Sequence, residues 1–420
     1  MENQLSIKPE PSALFRWIIL VFVSLAMFGN YYIYDSISPL ADLLVKQLNF
    51  SDSNIGLLQG IYSVPNVFMV LIGGIIIDKI GTRISTFIFT ALCLTGAIIT
   101  ASSSDLTFMA IGRLVFGLGA ESMIVAVTTV IGRWFKGKQL SFAFGLNLTL
   151  ARLGSFAALN SPTWAKSFYD NWQYPLLISV VAGVISIVSV IIYWGMDSYA
   201  EKNYSLRPVP KQDKIIFKEI FSFSRSYWFV VLLCVTFYSG IFPFQTFAVK
   251  FFMDVHGTTR EFGGFLSSML TLSAMILTPL FGLFVDYIGR RSLLMMFGSL
   301  ILVPVYLIMA YTHISLYVPM AMMGLAFSLI PAVMWPSVAI IVDESKLGTA
   351  YGLMTMIQNI GLASFNFIIG WANDFSGGYT QGMWIFSSLG FFGLLFAFLL
   401  RKSEMGPDSH GLEKGINKES

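Results

Sequence analysis

Apolar runs of about 20 residues, separated by short stretches rich in glycine, proline and charge, recur along the whole chain. A helix needs about 20 residues to cross roughly 30 Å of hydrocarbon. On that measure twelve spans are predicted, at 14–34, 54–77, 84–103, 106–135, 140–164, 172–194, 227–249, 263–287, 292–310, 315–342, 347–371 and 377–400. The first is expected to continue as helix through Asp35 towards Lys46. One long polar interval, 195–226, carries Arg207-Pro208-Val209-Pro210-Lys211 and divides the chain in two. The expected organisation is an N-terminal six-helix half (1–194), a linker (195–226), a C-terminal six-helix half (227–400) and a polar tail (401–420).

Composition agrees with an all-α membrane protein. Of 420 residues, 55% are hydrophobic and 12% charged, and mean hydropathy is +0.72; soluble domains carry about 25% charge. The short alternating strands of a membrane barrel are not seen. The N-terminal segment, acidic and proline-containing, does not read as a cleaved signal peptide. Cys93 and Cys234 lie in apolar runs, and His256, His313 and His410 in loops or the tail. No nucleophile–base pair, metal cluster or nucleotide cradle is recognisable. No catalysis, cofactor or nucleic-acid partner is expected; the partners expected are the lipid bilayer and a small-molecule substrate.

Basic residues give the orientation. Lys46, Lys166, Lys250 and Arg260 fall on one side, and Arg113 and Arg152 within spans. The rest of the 26 basic residues crowd the side of the two termini, which is therefore expected to be cytoplasmic.

The halves repeat. Asp78-Lys79-Ile80-Gly81-Thr82-Arg83 follows the second span and Asp286-Tyr287-Ile288-Gly289-Arg290-Arg291 the eighth, 208 residues later. Each Asp is preceded at four positions by glycine, Gly74 and Gly282. LSFAFGLNLTLARLG from Leu140 aligns with LGTAYGLMTMIQNIG from Leu347, 207 residues later. Two six-span halves with these loops resemble the major facilitator superfamily, whose repeats place the substrate between the halves near the midplane. On that resemblance Asp78, Arg83, Asp286 and Arg290 are read as conformational latches; the plainer reading is topology charge.

Polar side chains within spans point to the cavity, because groups facing lipid would be left unsatisfied. Spans one, two, four, five, seven and eleven carry Asn30, Asp35, Asn66, Arg113, Glu121, Asn147, Arg152, Asn160, Gln245, Gln358, Asn359 and Asn366. Asn66, Asn147 and Asn366 are read as helix-to-helix contacts. Glu121 and Arg152 are the informative pair. Counted from the connector after Phe135, both lie at a depth of roughly 18–20 Å, on adjacent antiparallel helices. They are expected to meet, either as a substrate clamp or as a structural salt bridge. Asp35 and Arg113 are assigned to gating.

A closer resemblance rests on Tyr34-Asp35, Tyr62-Ser63-Val64-Pro65-Asn66-Val67, Gly112-Arg113-Leu114-Val115-Phe116-Gly117, Glu121-Ser122, Ala151-Arg152-Leu153-Gly154-Ser155, Phe242-Pro243-Phe244, Trp335-Pro336 and Ile357-Gln358-Asn359. These stretches are similar to the branch of lysosomal dipeptide transporters and their bacterial relatives. The resemblance implies a facilitative dipeptide carrier, and no E-x-x-E-R pattern of proton-driven peptide carriers occurs in span one. A dipeptide is a zwitterion, so Arg152 would hold its carboxylate and Glu121 its ammonium. Asn30, Tyr31, Tyr62, Tyr238, Gln245, Trp335 and Asn359 would complete the wall. Alternatives are a carrier of another organic anion or zwitterion, proton-coupled through Asp35 or Glu121, and a non-transporting sensor. With no acidic dileucine signal and short loops opposite the termini, a monomer in the plasma membrane is expected, with a lysosomal membrane as the alternative.

The charge bias makes a direct prediction. Cysteines placed at Ser205 and Ser409 should react with an impermeant maleimide only from the cytoplasmic side; labelling of either in intact cells would reverse the topology.

Overall fold

The computed structural model describes residues 8–135, 138–205, 223–343, 346–407 and 409–414. Lys136 and Gly137 of the basic connector, the centre of the linker with Arg207–Lys211, and the tail past Lys414 lie outside the described residues. The helices of the N-half are α1 (Ala13–Asp35), α2 (Ala41–Leu48), α3 (Asp52–Gly60), α4 (Ser63–Ser102), α5 (Leu106–Phe135), α6 (Leu140–Leu159), α7 (Ser161–Trp164) and α8 (Gln173–Asn203). Those of the C-half are α9 (Arg225–His256), α10 (Arg260–Ile288), α11 (Arg291–Tyr311), α12 (Tyr317–Ile341), α13 (Leu347–Ser376) and α14 (Thr380–Glu404). The described residues form no strand. The sixth span runs on as helix to Asn203, past the expected end at 194.

Among the described residues, eleven helical stretches are long and apolar enough to cross a bilayer. One, Asp52–Ser102, is 51 residues long, roughly 75 Å if straight and more than twice a hydrocarbon core. It is broken at Gly81, whose φ of 82° and ψ of 163° are not helical. Its length and this break fit two crossings, which makes twelve spans among the described residues. Gly289, at the matching place in the C-half, also has positive φ, 69°. Both turns use a conformation that costs glycine little.

The first span is not one continuous rod. α1 ends at Asp35, a 3-10 turn at Ser38–Leu40 contains Pro39, and α2 follows. Proline cannot supply the N–H that a continuing helix needs. α3 is likewise separated from α4 at Ile61 and Tyr62.

The halves touch chiefly through α3 and α4 against α13, and α6 and α7 against α10. α3 carries Gly56 and Gly60 on one face, the small-residue spacing that lets membrane helices approach closely. A Cβ on Gly56 would stand 2.2 Å from the Asn366 carbonyl oxygen, and one on Gly370 2.3 Å from that of Asp52.

Ion pairs reinforce this contact at the end distal to the termini. Arg260 grips Asp42 through Nε and Nη2, at 3.0 and 2.6 Å. Lys250 lies 2.9 Å from Asp52, and Lys166 2.7 Å from Glu261. Asp374 accepts the backbone N–H groups of Asp52 and Ser53, at 2.9 and 2.8 Å. A carboxylate of the C-half thus caps the first turn of a helix of the N-half, where N–H groups lack partners. The Ser38 hydroxyl donates to the Gln245 carbonyl. Towards the termini the partners separate: at Gly145 of α6 and Gly282 of α10, an added Cβ would find nothing within 4 Å. The molecule is closed distally and open on the terminal face.

Closure that depends on a glycine contact can be blocked there. Ser38 is 2% exposed, so a Ser38→Cys reporter should react slowly with a maleimide added distally. Adding Gly56→Leu should accelerate labelling at least about tenfold, the effect of roughly 1.4 kcal/mol on the equilibrium. An unchanged rate in folded protein would show that the α3–α13 contact is not what keeps the distal end shut.

Candidate functional site

Beneath the distal closure lies a cavity of about 270 Å³ between the halves. Glycines set its width on the N-side. Four residues before Glu121, a Cβ on Gly117 would sit 2.1 Å from the Tyr62 carbonyl oxygen; two residues after Arg152, one on Gly154 would sit 2.1 Å from that of Phe28. These contacts draw α5 against the start of α4 and α6 against α1, and bring Glu121 and Arg152 to one wall.

That wall comprises Asn30, Tyr31, Tyr34, Tyr62, Glu121, Arg152 and Ser155 among others. The facing C-half wall comprises Tyr238, Phe242, Trp335, Thr355, Gln358 and Leu362. Both full charges of the lining therefore belong to the N-half, and the C-half offers aromatic rings, a hydroxyl and an amide. Its aromatic groups are fixed: the Trp335 indole N–H donates to the Tyr238 hydroxyl at 2.9 Å, the Tyr351 hydroxyl donates to the Trp335 carbonyl at 3.0 Å, and Tyr238 stacks on Phe242 at 5.6 Å. Tyr34 contacts Tyr62 at 4.9 Å and Phe242 at 6.2 Å, joining the halves across the distal roof.

The expected meeting of Glu121 with Arg152 is corrected by the structure. Both line the cavity, but among the described residues they form no ion pair with each other. The Arg152 guanidinium lies over the rings of Tyr31, at 5.8 Å, and Phe327, at 5.6 Å. Aromatic faces stabilise a cation without consuming its N–H donors. Glu121 lies beside Asn359 of the C-half. Two opposite charges thus face one cavity from neighbouring helices, each held by other groups.

Of the other predicted wall residues, Asn30, Tyr62, Tyr238 and Trp335 line the cavity. Asn359 stands behind the lining, buried, with its Nδ2 on the Thr355 carbonyl at 3.0 Å and its Oδ1 without a hydrogen bond among the described residues. Gln245 does not reach the cavity; it sits in the distal closure, where its carbonyl meets Ser38. Asn147 accepts from Ser24 at 3.1 Å and Asn366 from Thr246 at 2.8 Å, both helix-to-helix contacts. Asn66 is buried with neither amide atom hydrogen-bonded among the described residues.

The residues assigned to gating fall in four places. Asp35 ends α1, buried next to Ser155 and within electrostatic reach of Arg152 and Arg113. Arg113 is pinned inside the N-half: it donates to the carbonyls of Ile33, Tyr34 and Leu58 and to the Gln59 side chain, at 3.1–3.2 Å. These acceptors lie in the last turns of α1 and α3, where helix carbonyls lack partners. Arg113 holds two broken helices together. Arg83 binds Asp197 at 3.4 Å, Ser198 at 2.9 Å and Glu201, all on α8. Asp78 is exposed at the same turn. In the C-half the partner of Asp286 is Arg291, at 3.0 Å, and not Arg290. Arg290 takes φ 50° as the N-cap of α11, which sends its side chain outwards and leaves the next residue beside Asp286.

Sequence reasoning missed the distal ion pairs. Their signal was available: each of the four basic residues on the sparse side, Lys46, Lys166, Lys250 and Arg260, has a carboxylate partner. It also missed Thr355 and Ser155, whose small side chains carry no individual mark of a cavity.

A model of the Major Facilitator Superfamily matches residues 23–259 and 244–418. The chain is 32% identical to the lysosomal dipeptide transporter MFSD1 of Danio rerio over 380 residues, 87% of this chain and 82% of that protein. The crystal structure of the nucleoside transporter NupG superposes with a TM-score of 0.73 at 14% identity, covering 91% of this chain and 99% of that one. A bacterial homolog of the human lysosomal transporter Spinster, in an inward-facing, unoccupied conformation, gives 0.72 at 15% identity, with 94% and 98% covered. The chain is a membrane transporter and belongs to the major facilitator superfamily.

Proposed function

We propose that this transporter carries small zwitterions, dipeptides foremost, by facilitative alternating access. The observation that carries the reading is the pair Glu121 and Arg152, which face one cavity without pairing with each other. A carboxylate and a guanidinium kept apart on the wall of one cavity suit a ligand with an ammonium at one end and a carboxylate at the other. Arg152 offers a planar fork to the carboxylate, and Glu121 accepts from the ammonium. Each charge is then neutralised as the cavity closes around the ligand, which lowers the cost of burying it. The aromatic C-half wall accepts varied side chains without specific hydrogen bonds. The curated relatives, named as dipeptide transporters, support the same substrate class.

The basic bias supports a cytoplasmic terminal face, and on that orientation this conformation opens inwards. We assign the carrier to the plasma membrane; a lysosomal membrane, suggested by the relatives' names, keeps the same face cytoplasmic. On this reading Asp35 is a gating residue, close to the roof formed by Tyr34 and Phe242, and transport proceeds without proton movement.

Two measurements test this. In thermal-shift or binding assays, Glu121→Gln should weaken dipeptides with a free N-terminus about 10- to 100-fold, the worth of a charge-assisted hydrogen bond, and spare N-acetylated ones. Arg152→Lys, which keeps the charge but loses the fork, should weaken ligands with a free carboxylate and spare amidated ones. Wild-type selectivity in both folded variants would remove the pair from the binding site. In proteoliposomes, dipeptide uptake should leave lumenal pH unchanged; acidification that disappears in Asp35→Asn would replace the facilitative reading with proton coupling.

A further inference from the structure

The two repeat-related turns on the terminal face are anchored in different ways. In the N-half, Arg83 ties the α4 turn directly to α8 through Asp197, Ser198 and Glu201. By the repeat offsets Arg291 corresponds to Arg83, and Glu404 to Asp197. Yet among the described residues Arg291 and Glu404 do not pair. Glu404, buried at the end of α14, accepts from the Ser226 hydroxyl at 2.5 Å, from the His410 backbone N–H at 2.9 Å, and faces His410 Nδ1 at 2.8 Å.

The chain after α14 supplies the missing anchor. Leu412 is fully buried in the core of the C-half. Glu413 accepts the Arg290 N–H with its carbonyl, at 3.1 Å, and the Ser292 N–H with its carboxylate, at 3.0 Å. The Lys414 carbonyl accepts Arg291 Nη1 at 3.2 Å. α11 has no side-chain cap of its own at Arg290. A carboxylate on the unpaired N–H groups of a first turn is the favourable arrangement there. In the N-terminal segment, Pro9 and Lys8 bind the end of α8, at Ser205 and Glu201.

We propose that residues 409–414 form a strap that holds the α10–α11 turn and favours the state open on the terminal face. The strap occupies Arg291 and fixes the first turn of α11 while the halves are apart. To close that face, the C-half turn must be carried towards the N-half, and a turn whose arginine is already bound is less free to make new contacts there. The inference rests on the exchange between two facing states and not on which substrate is carried.

Double electron–electron resonance tests it on the full chain without ligand. Labels at Gly145→Cys of α6 and Leu283→Cys of α10 span the mouth of the open face. Glu413→Ala removes the carboxylate cap but keeps Leu412, and should raise the short-distance population about fivefold, the weight of one net hydrogen bond. Glu413→Gln, which keeps an acceptor oxygen, should restore most of the wild-type distribution. Ending the chain after Gly406 should shift it at least as far as Glu413→Ala. If Glu413→Ala leaves the distribution unchanged or lengthens the distance, or if Glu413→Gln behaves like Glu413→Ala, the strap does not bias the exchange. Loss of dipeptide binding would not enter this readout, so failure here and failure of the substrate assignment are separable.

Discussion

A full charge within a bilayer must be satisfied by protein or water, since hydrocarbon offers it nothing. The N-half meets that constraint in two opposite ways. Arg113 directs its guanidinium to four acceptors within one half, closing the ends of α1 and α3 and lying over the rings of Tyr62 and Phe116. Glu121 and Arg152 face the cavity and keep hydrogen-bonding capacity free. Identical in kind, the arginines differ in what surrounds them: helix-end carbonyls for one, ring faces and an open cavity for the other. The difference separates a structural cation from a candidate ligand.

The broken helices that Arg113 holds also build the distal closure. Because α1 stops at Asp35, α2 can place Asp42 against Arg260; because α3 stops at Gly60, its glycine face can lie on α13. Close backbone approach makes the contact, and ion pairs at its edge select the register. Three of these pairs cross between halves, so opening the distal end requires their separation together with loss of the cap that Asp374 gives to α3. Of the three, Lys166–Glu261 is the exposed pair, which is worth little on its own; the buried Arg260–Asp42 and Lys250–Asp52 pairs carry the cost of separation.

Much of this was legible in the sequence. The twelve spans follow from run length, and the duplication from two offsets that agree to one residue. The polar residues concentrated on six spans marked which helices face inwards, and the depths of Glu121 and Arg152 placed both at one level. Depth alone does not determine rotation about a helix axis, so it did not show that the two charges would avoid each other, nor that Asn359 would lie behind the wall. Gln245 illustrates the same gap: its amide looked like cavity lining, but its height on α9 places it in the distal closure. Arg290 and Arg291 could not be separated by spacing, because the positive φ at Arg290 decides which of them meets Asp286.

On the proposed function, Glu121 and Arg152 serve a ligand and not each other. A double-mutant cycle on the stability of the empty, detergent-solubilised transporter tests this most directly, using Glu121→Gln, Arg152→Gln and the double variant, so that each single change removes one charge. Unpaired charges predict that the two effects add to within about 0.5 kcal/mol; a coupling energy of roughly 1 kcal/mol or more would show that the residues stabilise the fold as a pair and would contradict the claim.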